Sequence, residues 1–288
     1  MRFFLSGFLI IFLLALNIIC WQEIFEQFNN DLTKIEFLNV GQGDAIFIIT
    51  PQQHQILIDG GPDNSVLRKI EKRMPFWDKT IDLIILTHPE KDHIRGLLGV
   101  LERYKADYIL WTGVKKESAE YEKWTYLLEE QKRNGTKVVL ADKDKRIKAG
   151  FLLFQIFSPS LQEIKEGTRD INDSSLVFRL VYGKNRILFT GDISARVEKK
   201  LLEEGLNLRS EVLKVAHHGS KYSSSLDFLK QVLPEIGVIC VGKNSYGHPS
   251  YEVIERLKEV GVRILRTDKN GDILILSDSQ RLIVKTEK

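Results

Sequence analysis

Cysteine is nearly absent. Only Cys20 and Cys240 occur in 288 residues, and Cys20 falls inside an apolar leader, so a disulfide framework within the folded domain is excluded. An excess of one charge is missing too, since 42 basic residues face 39 acidic ones for a net +3. A protein that coats nucleic acid needs a larger imbalance, so any contact with DNA or RNA has to be local. No internal period marks a repeat array, and the Lys- and Glu-rich stretch 115–148 contains no low-complexity tract. What remains is ordinary globular composition, 43% hydrophobic and 28% charged, in a chain long enough for one large core.

Charge is also absent from residues 3–21, nineteen in a row. That is close to the ~20 residues a helix needs to cross a bilayer. Arg2 precedes the run, whereas Glu23, Glu26 and Asp31 follow it, which favours the start inside and the rest outside. The alternative is a secreted protein released by signal cleavage. Against cleavage, Leu16-Asn17-Ile18-Ile19-Cys20-Trp21 lacks small residues at the required spacing, and Ile19 before Cys20 makes a poor lipoprotein site. The division expected is an anchor and spacer over residues 1–31 and a catalytic domain over 32–288, held at the outer face of the cell membrane by one transmembrane helix.

Within the domain, residues 35–40 and 45–50 are apolar runs of strand length joined by Gly41-Gln42-Gly43-Asp44, a predicted hairpin. Further strands are predicted at 55–58, 81–86, 176–181, 186–189, 212–215, 238–241, 264–265, 273–276 and 282–284. Ile94, Leu97, Leu98 and Leu101 have the spacing of an amphipathic helix, and helices are also predicted at 119–132, 194–204, 226–232 and 251–260. The stretch 115–148 is read as a solvated face or insertion. Strands clustered at both ends with helices between them imply an α/β fold of two sheets covered by helices.

The chemistry gathers at strand ends. Thr87-His88-Pro89-Glu90-Lys91-Asp92-His93 follows the 81–86 strand and sets two imidazoles and two carboxylates within six residues. Divalent cations take such donors at ~2.0–2.2 Å. Thr190-Gly191-Asp192, His217-His218-Gly219-Ser220 and Gly247-His248-Pro249 each follow a predicted strand as well, so four segments can meet in one crevice. His54 alone among six histidines lies elsewhere, in a polar turn.

Asp59-Gly60-Gly61, His88-x-Glu90-x-Asp92-His93, Thr190-Gly191-Asp192 and the late His248 resemble, in order, the motifs of the metallo-β-lactamase superfamily. Residues 39–45 (Asn-Val-Gly-Gln-Gly-Asp-Ala), 172–176 (Asn-Asp-Ser-Ser-Leu) and 213–220 (Leu-Lys-Val-Ala-His-His-Gly-Ser) narrow the resemblance to the hydrolase domain of ComEC-type competence proteins, which take part in DNA uptake. It covers residues 35–284, without the multi-span channel of full-length ComEC. The resemblance implies a four-layer αββα sandwich and a two-metal hydrolase, a phosphodiesterase or nuclease acting on single- or double-stranded DNA through a metal-bound hydroxide. It also implies that Asp92, His93 and His248 hold one cation, His88 and Glu90 the other, and that Asp192 bridges them. The superfamily's usual histidine is replaced by Glu90, and the harder oxygen donor shifts preference from Zn²⁺ toward Mn²⁺ or Mg²⁺.

Other roles stay open. A third ligand for the first cation comes from Asn172 or Asp173, or the segment is simply a turn. Asp59, followed by two glycines, is expected to orient the ligand loop rather than touch metal. His217 and His218 occupy the place where superfamily phosphodiesterases such as the tRNA 3′-processing ribonuclease carry a non-ligand histidine, so one of them is a candidate proton donor. Ser220, Lys221, Ser223, Ser224 and Ser225 are candidates to hold a phosphate, or form a flexible polar loop. The same fold also supports hydrolysis of a carbon ester, thioester or lactam, and a non-catalytic surface binding module is the third alternative.

Overall fold

The computed structural model describes residues 8–9, 11–21, 32–143 and 145–288. Residues 11–21 are helical and exposed, and no helix among the described residues is long and apolar enough to cross a membrane. The rest of the predicted anchor and its flanking charges lie outside the described residues.

Two sheets face each other. The first, in spatial order, is β15 (Leu282–Thr286), β14 (Ile273–Ser277), β1 (Thr33–Phe37), β2 (Ile46–Ile49), β3 (Gln55–Ile58), β4 (Thr80–Leu86), β5 (Lys105–Trp111) and β6 (Lys137–Leu140). The second is β13 (Arg263–Arg266), β12 (Ile236–Ile239), β11 (Val212–Lys214), β10 (Asn185–Phe189), β9 (Val177–Tyr182), β8 (Leu152–Ser158) and β7 (Arg146–Ala149). Alternation in β1 turns Ile35 and Phe37 inward, where they meet Phe154, Phe178 and Phe189 from the second sheet. The outer face of the first sheet buries Leu57, Ile84 and Ile109 under α1 (Ser65–Glu71), α2 (Lys91–Leu101) and α3 (Ala119–Arg133). That of the second buries Leu188, Leu213 and Ile239 under α5 (Ala195–Glu203), α6 (Leu226–Val232) and α7 (Tyr251–Glu259), with the short α4 (Leu161–Glu166) lying after β8. The layers therefore run helix, sheet, sheet, helix.

Two expectations change. The stretch 115–148 is not an insertion: Trp124, Leu127 and Leu128 of α3 are buried against the first sheet, and the residues after it supply the edge strands β6 and β7. The Gly41-Gln42-Gly43-Asp44 link does join antiparallel neighbours, but it is more than a turn. A Cβ at Gly43 would stand 2.3 Å from the Asp92 carbonyl oxygen, so only glycine lets this loop close over the ligand segment and carry Asp44 beneath it.

Candidate metal centre

β1, β3 and β4 end on one edge, and their following loops deliver Asp44, Asp59 and His88 to His93; β10, β11 and β12 deliver Asp192, His218 and His248 from the other sheet. The two edges converge. Nε2 of His218 lies 3.1 Å from Asp92 and 3.2 Å from Asp192, and Nε2 of His93 lies 3.3 Å from the same Asp192 oxygen. Asp92, His93, Asp192 and His218 thus offer four donor atoms within 4.8 Å of one another.

The donors are aimed from behind. Asp59 accepts from Nδ1 of His93 at 2.8 Å, from the Thr87 amide and from the Thr87 hydroxyl. Nδ1 of His218 donates to the Cys240 carbonyl at 2.7 Å. In both rings an Nδ1 hydrogen bond leaves Nε2 as the atom facing the cluster, the arrangement that orients a metal-binding imidazole. Nε2 of His88, Nε2 of His93 and Nδ1 of His248 are buried without a hydrogen-bond partner. Buried polar atoms are normally satisfied, so these orphaned nitrogens beside carboxylates fit divalent cations.

Backbone strain accompanies the aim. Asp59, His217 and His218 have φ of 56°, 51° and 53°, left-handed values that non-glycine residues rarely adopt. Each such residue costs on the order of 1–3 kcal/mol, and outliers of this kind collect at functional sites.

The predicted residues divide. Glu90 precedes α2 at the rim of the cleft and its carboxylate pairs with Lys116 at 2.5 Å. His248 is half-buried in the same cleft, 5.6 Å from the His217 ring, and it is outside the four-donor group. His218 stands inside the four-donor group, whereas His217 lines the cleft outside it. Asp173 faces away, accepting from the Ser194 amide and the Arg196 guanidinium, whereas Asn172 lines the cleft. The serine loop is closed to phosphate: Ser220, Ser223 and Ser224 are buried, and the Ser224 and Ser225 amides are taken by the buried Glu198 carboxylate. Lys221 is exposed beside the Tyr222 ring. His54 pairs with Asp82 at 2.9 Å, at the opposite end of the domain.

Two residues carry more weight than the sequence suggested. Lys214 is fully buried, its Nζ donating to Asp44, to Asp192 at 3.2 Å and to the Gly191 carbonyl at 2.9 Å. Burial opposes charge on both partners, yet Asp44 holds the Lys214 ammonium above its ordinary range while Lys214 holds the Asp44 carboxyl below its own. The signal was present as Asp44 and Lys214 inside the motifs, but a lysine at the end of an apolar strand gives no sign of facing inward.

Protonation of the metal-free centre follows the same logic. Burial works against charge on His93 and His218, but Asp192 and the other carboxylates around them raise both imidazoles well above 6.5. Burial and His93 push His88 down to about 3, and burial with His217 and His218 pushes His248 down to about 4. A cation must therefore displace protons from His93 and His218, so its affinity should rise with pH through neutrality. Calorimetric titration of stripped protein in buffers of different ionisation enthalpy checks this. A binding enthalpy independent of buffer would contradict it.

The residues from 38 to 243 match the family model described as the metallo-beta-lactamase superfamily. The chain belongs to that superfamily. It is 30% identical over 258 residues to ComE operon protein 3 of Bacillus subtilis, covering 83% of this chain and 32% of the relative. It is 28% identical over 268 residues to Recombination protein 2 of Haemophilus influenzae, covering 91% of this chain and 31% of the relative. The chain therefore spans about a third of either relative's length. Among solved structures, the metallo-beta-lactamase fold protein YhfI from Bacillus subtilis aligns over 86% of this chain and all of its own, with a TM-score of 0.60 at 13% identity. That last likeness concerns the fold alone.

Proposed function

We propose that this metal-dependent hydrolase domain cleaves phosphodiester bonds, with DNA as its substrate. The supporting observation is the cleft above the metal cluster, an open space of about 880 Å³ lined by Lys91, Arg95, Lys243, Asn244, Tyr246 and His217. Small neutral molecules are held in enclosed, mostly apolar pockets. An open polar cleft suits an extended polyanion, and Lys243 stands exposed at its edge, on a rim where Arg95 pairs with Glu120 and Glu90 with Lys116. The similarity to ComE operon protein 3 and Recombination protein 2 supports the same substrate.

Asp92, His93, Asp192 and His218, with His88 and His248 beside them, would hold divalent cations, which when bound would lower the pKa of a water and lend positive charge to the phosphoryl oxygens. The chain's own share is positional. Asp59 and the Cys240 carbonyl hold the two imidazoles, and Lys214 holds Asp192. His217, in the cleft and outside the ligand group, is placed to protonate the leaving oxygen. Replacing it with Ala should leave metal content intact and slow DNA cleavage by ~10²–10⁴-fold, the range of general-acid effects. The loss should shrink for a p-nitrophenyl ester, whose leaving anion needs no proton. Full DNA cleavage by the variant, or loss of metal in proportion to activity, would remove His217 from that role.

The reading as a whole is tested by stripping the chain of metal and assaying bis-p-nitrophenyl phosphate, single-stranded DNA and nitrocefin with Mn²⁺, Mg²⁺ or Zn²⁺. Phosphodiester turnover with one of the first two ions is expected. Nitrocefin turnover alone would favour the lactam reading. We further propose that residues 3–21 anchor the domain outside the cytoplasm, on the charge asymmetry around that run. A reporter fused at Lys288 and active only in the cytoplasm would overturn this topology.

A further inference from the structure

The end of the domain opposite the cleft displays apolar surface that the metal centre does not explain. Between α1 and β4 the chain turns at Pro75-Phe76-Trp77-Asp78, where Phe76 is 82% and Trp77 72% exposed and their rings stack edge to face at 4.8 Å. Phe76 is more exposed than any other large apolar side chain among the described residues.

The turn is firmly built. Met74 is buried beneath it, the Asp78 amide donates to the Pro75 carbonyl at 3.0 Å, and the Asp78 carboxylate accepts from the Gln55 side chain and the Thr80 amide, each at 3.0 Å. The Lys79 carbonyl accepts from the Lys105 amide. Local bonding therefore presents the two rings to the outside. Exposed Lys72 and Lys79 flank them.

Strand directions indicate what covers the rings. β1 is antiparallel to β2, β2 is antiparallel to β3, and β3 is parallel to β4. Thr33, Gln55 and Thr80 consequently share one end of the sheet, while Asp44, Asp59 and Thr87 share the other. The chain reaches Thr33 from the apolar run, so the Phe76 and Trp77 turn lies at the end where the anchor joins the domain. Ten residues, 22–31, intervene between the run and Leu32, and a fully extended segment of that length reaches at most about 36 Å.

We propose that Phe76 and Trp77 insert into the interfacial layer of the bilayer that residues 3–21 span, forming a second membrane contact that turns the catalytic cleft away from the lipid. This rests on the reading of residues 3–21 as an anchor. Aromatic rings with an apolar body suit the headgroup boundary, and lysines beside them are drawn to anionic lipid. A single tether leaves the domain free to rotate; a second contact at the same end fixes its orientation.

The test uses full-length chain carrying Trp21→Phe, reconstituted in phosphatidylcholine and phosphatidylglycerol vesicles. Trp111 and Trp124 are buried in the core, so the signal lost on adding Trp77→Phe belongs to Trp77. That signal should be quenched by lipids brominated on their acyl chains and shielded from aqueous iodide. Trp77 open to iodide in vesicles that carry the chain would overturn the second contact while leaving the anchor intact. Shielding from both quenchers would assign the rings to a protein partner or a second copy, against the proposal. Failure of the chain to float with vesicles would overturn anchor and second contact together, and metal-dependent phosphodiester turnover would be unaffected by any of these outcomes.

Discussion

Asp192→Ala is expected to lower phosphodiester turnover by on the order of 10³-fold, the several kcal/mol that metal-borne charge stabilisation is worth, and to release bound cation. Its Oδ2 atom is shared by the Nε2 atoms of His93 and His218, and its Oδ1 atom by Lys214. Asp44 also faces Lys214 and both imidazoles, but from their Nδ1 side, at 3.4 Å from His218 and 3.9 Å from His93; Asp192 meets the two Nε2 atoms that point into the cluster, so removing it opens the centre from three sides. Glu90→Ala is the matched comparison. Glu90 stands at the rim with its carboxylate engaged by Lys116, and its loss should cost about 10-fold, the low end for a group that supports rather than forms a metal site. Metal content by atomic absorption and turnover on bis-p-nitrophenyl phosphate report the two effects separately. Equal loss of metal in the two variants would erase the distinction between centre and rim.

The motif segments were legible because each is local. Thr87 to His93 needs only a strand before it and a helix after it, and both are visible in hydrophobic spacing. Asp59 behind His93 follows from the same economy, since Asp-Gly-Gly at a strand end permits close approach: a Cβ at Gly60 would stand 2.3 Å from the Leu97 amide of α2. Long-range pairing was not legible. Choosing between His218 and His248 as the partner of Asp92 depends on which of two strand-end loops crosses to the other sheet. His218 comes within 3.1 Å of Asp92 on a segment of left-handed backbone, and nothing in His-His-Gly-Ser announces such backbone. Edge strands β6 and β7 were missed because each has only four residues and no buried position; β5 and β8 were missed as well, although β8 alternates cleanly between buried and half-buried residues. The serine loop was misread too. Its amides do bind an anion, but the anion is the chain's own Glu198, 26 residues before Ser224 in sequence.

Lys214 is where buried charge should be felt most in stability. Lys214→Met keeps the length of the side chain and removes the lysine between Asp44 and Asp192, leaving the His93 and His218 imidazoles as the remaining counter-charge for these two buried carboxylates. Breaking a buried ion pair from one side costs about 3–5 kcal/mol, a large fraction of the ~5–15 kcal/mol that holds a domain folded. A fall in the midpoint of thermal unfolding on the order of 10 °C should follow in metal-free protein. The sign of the pH dependence is fixed by direction. With Lys214 present, Asp44 has its folded pKa below the unfolded value, so it stabilises the wild type above that unfolded value and this contribution fades as pH falls through the folded one. Without the lysine, protonating Asp44 relieves the buried charge, so the gap between variant and wild type should be widest near neutrality and narrow toward acid. Asp44→Asn in the Lys214→Met background removes the same excess charge at every pH. The double variant should therefore be more stable than the Lys214→Met single at neutral pH. Strictly additive losses in that double-mutant cycle would mean that Lys214 packs in the core without neutralising it.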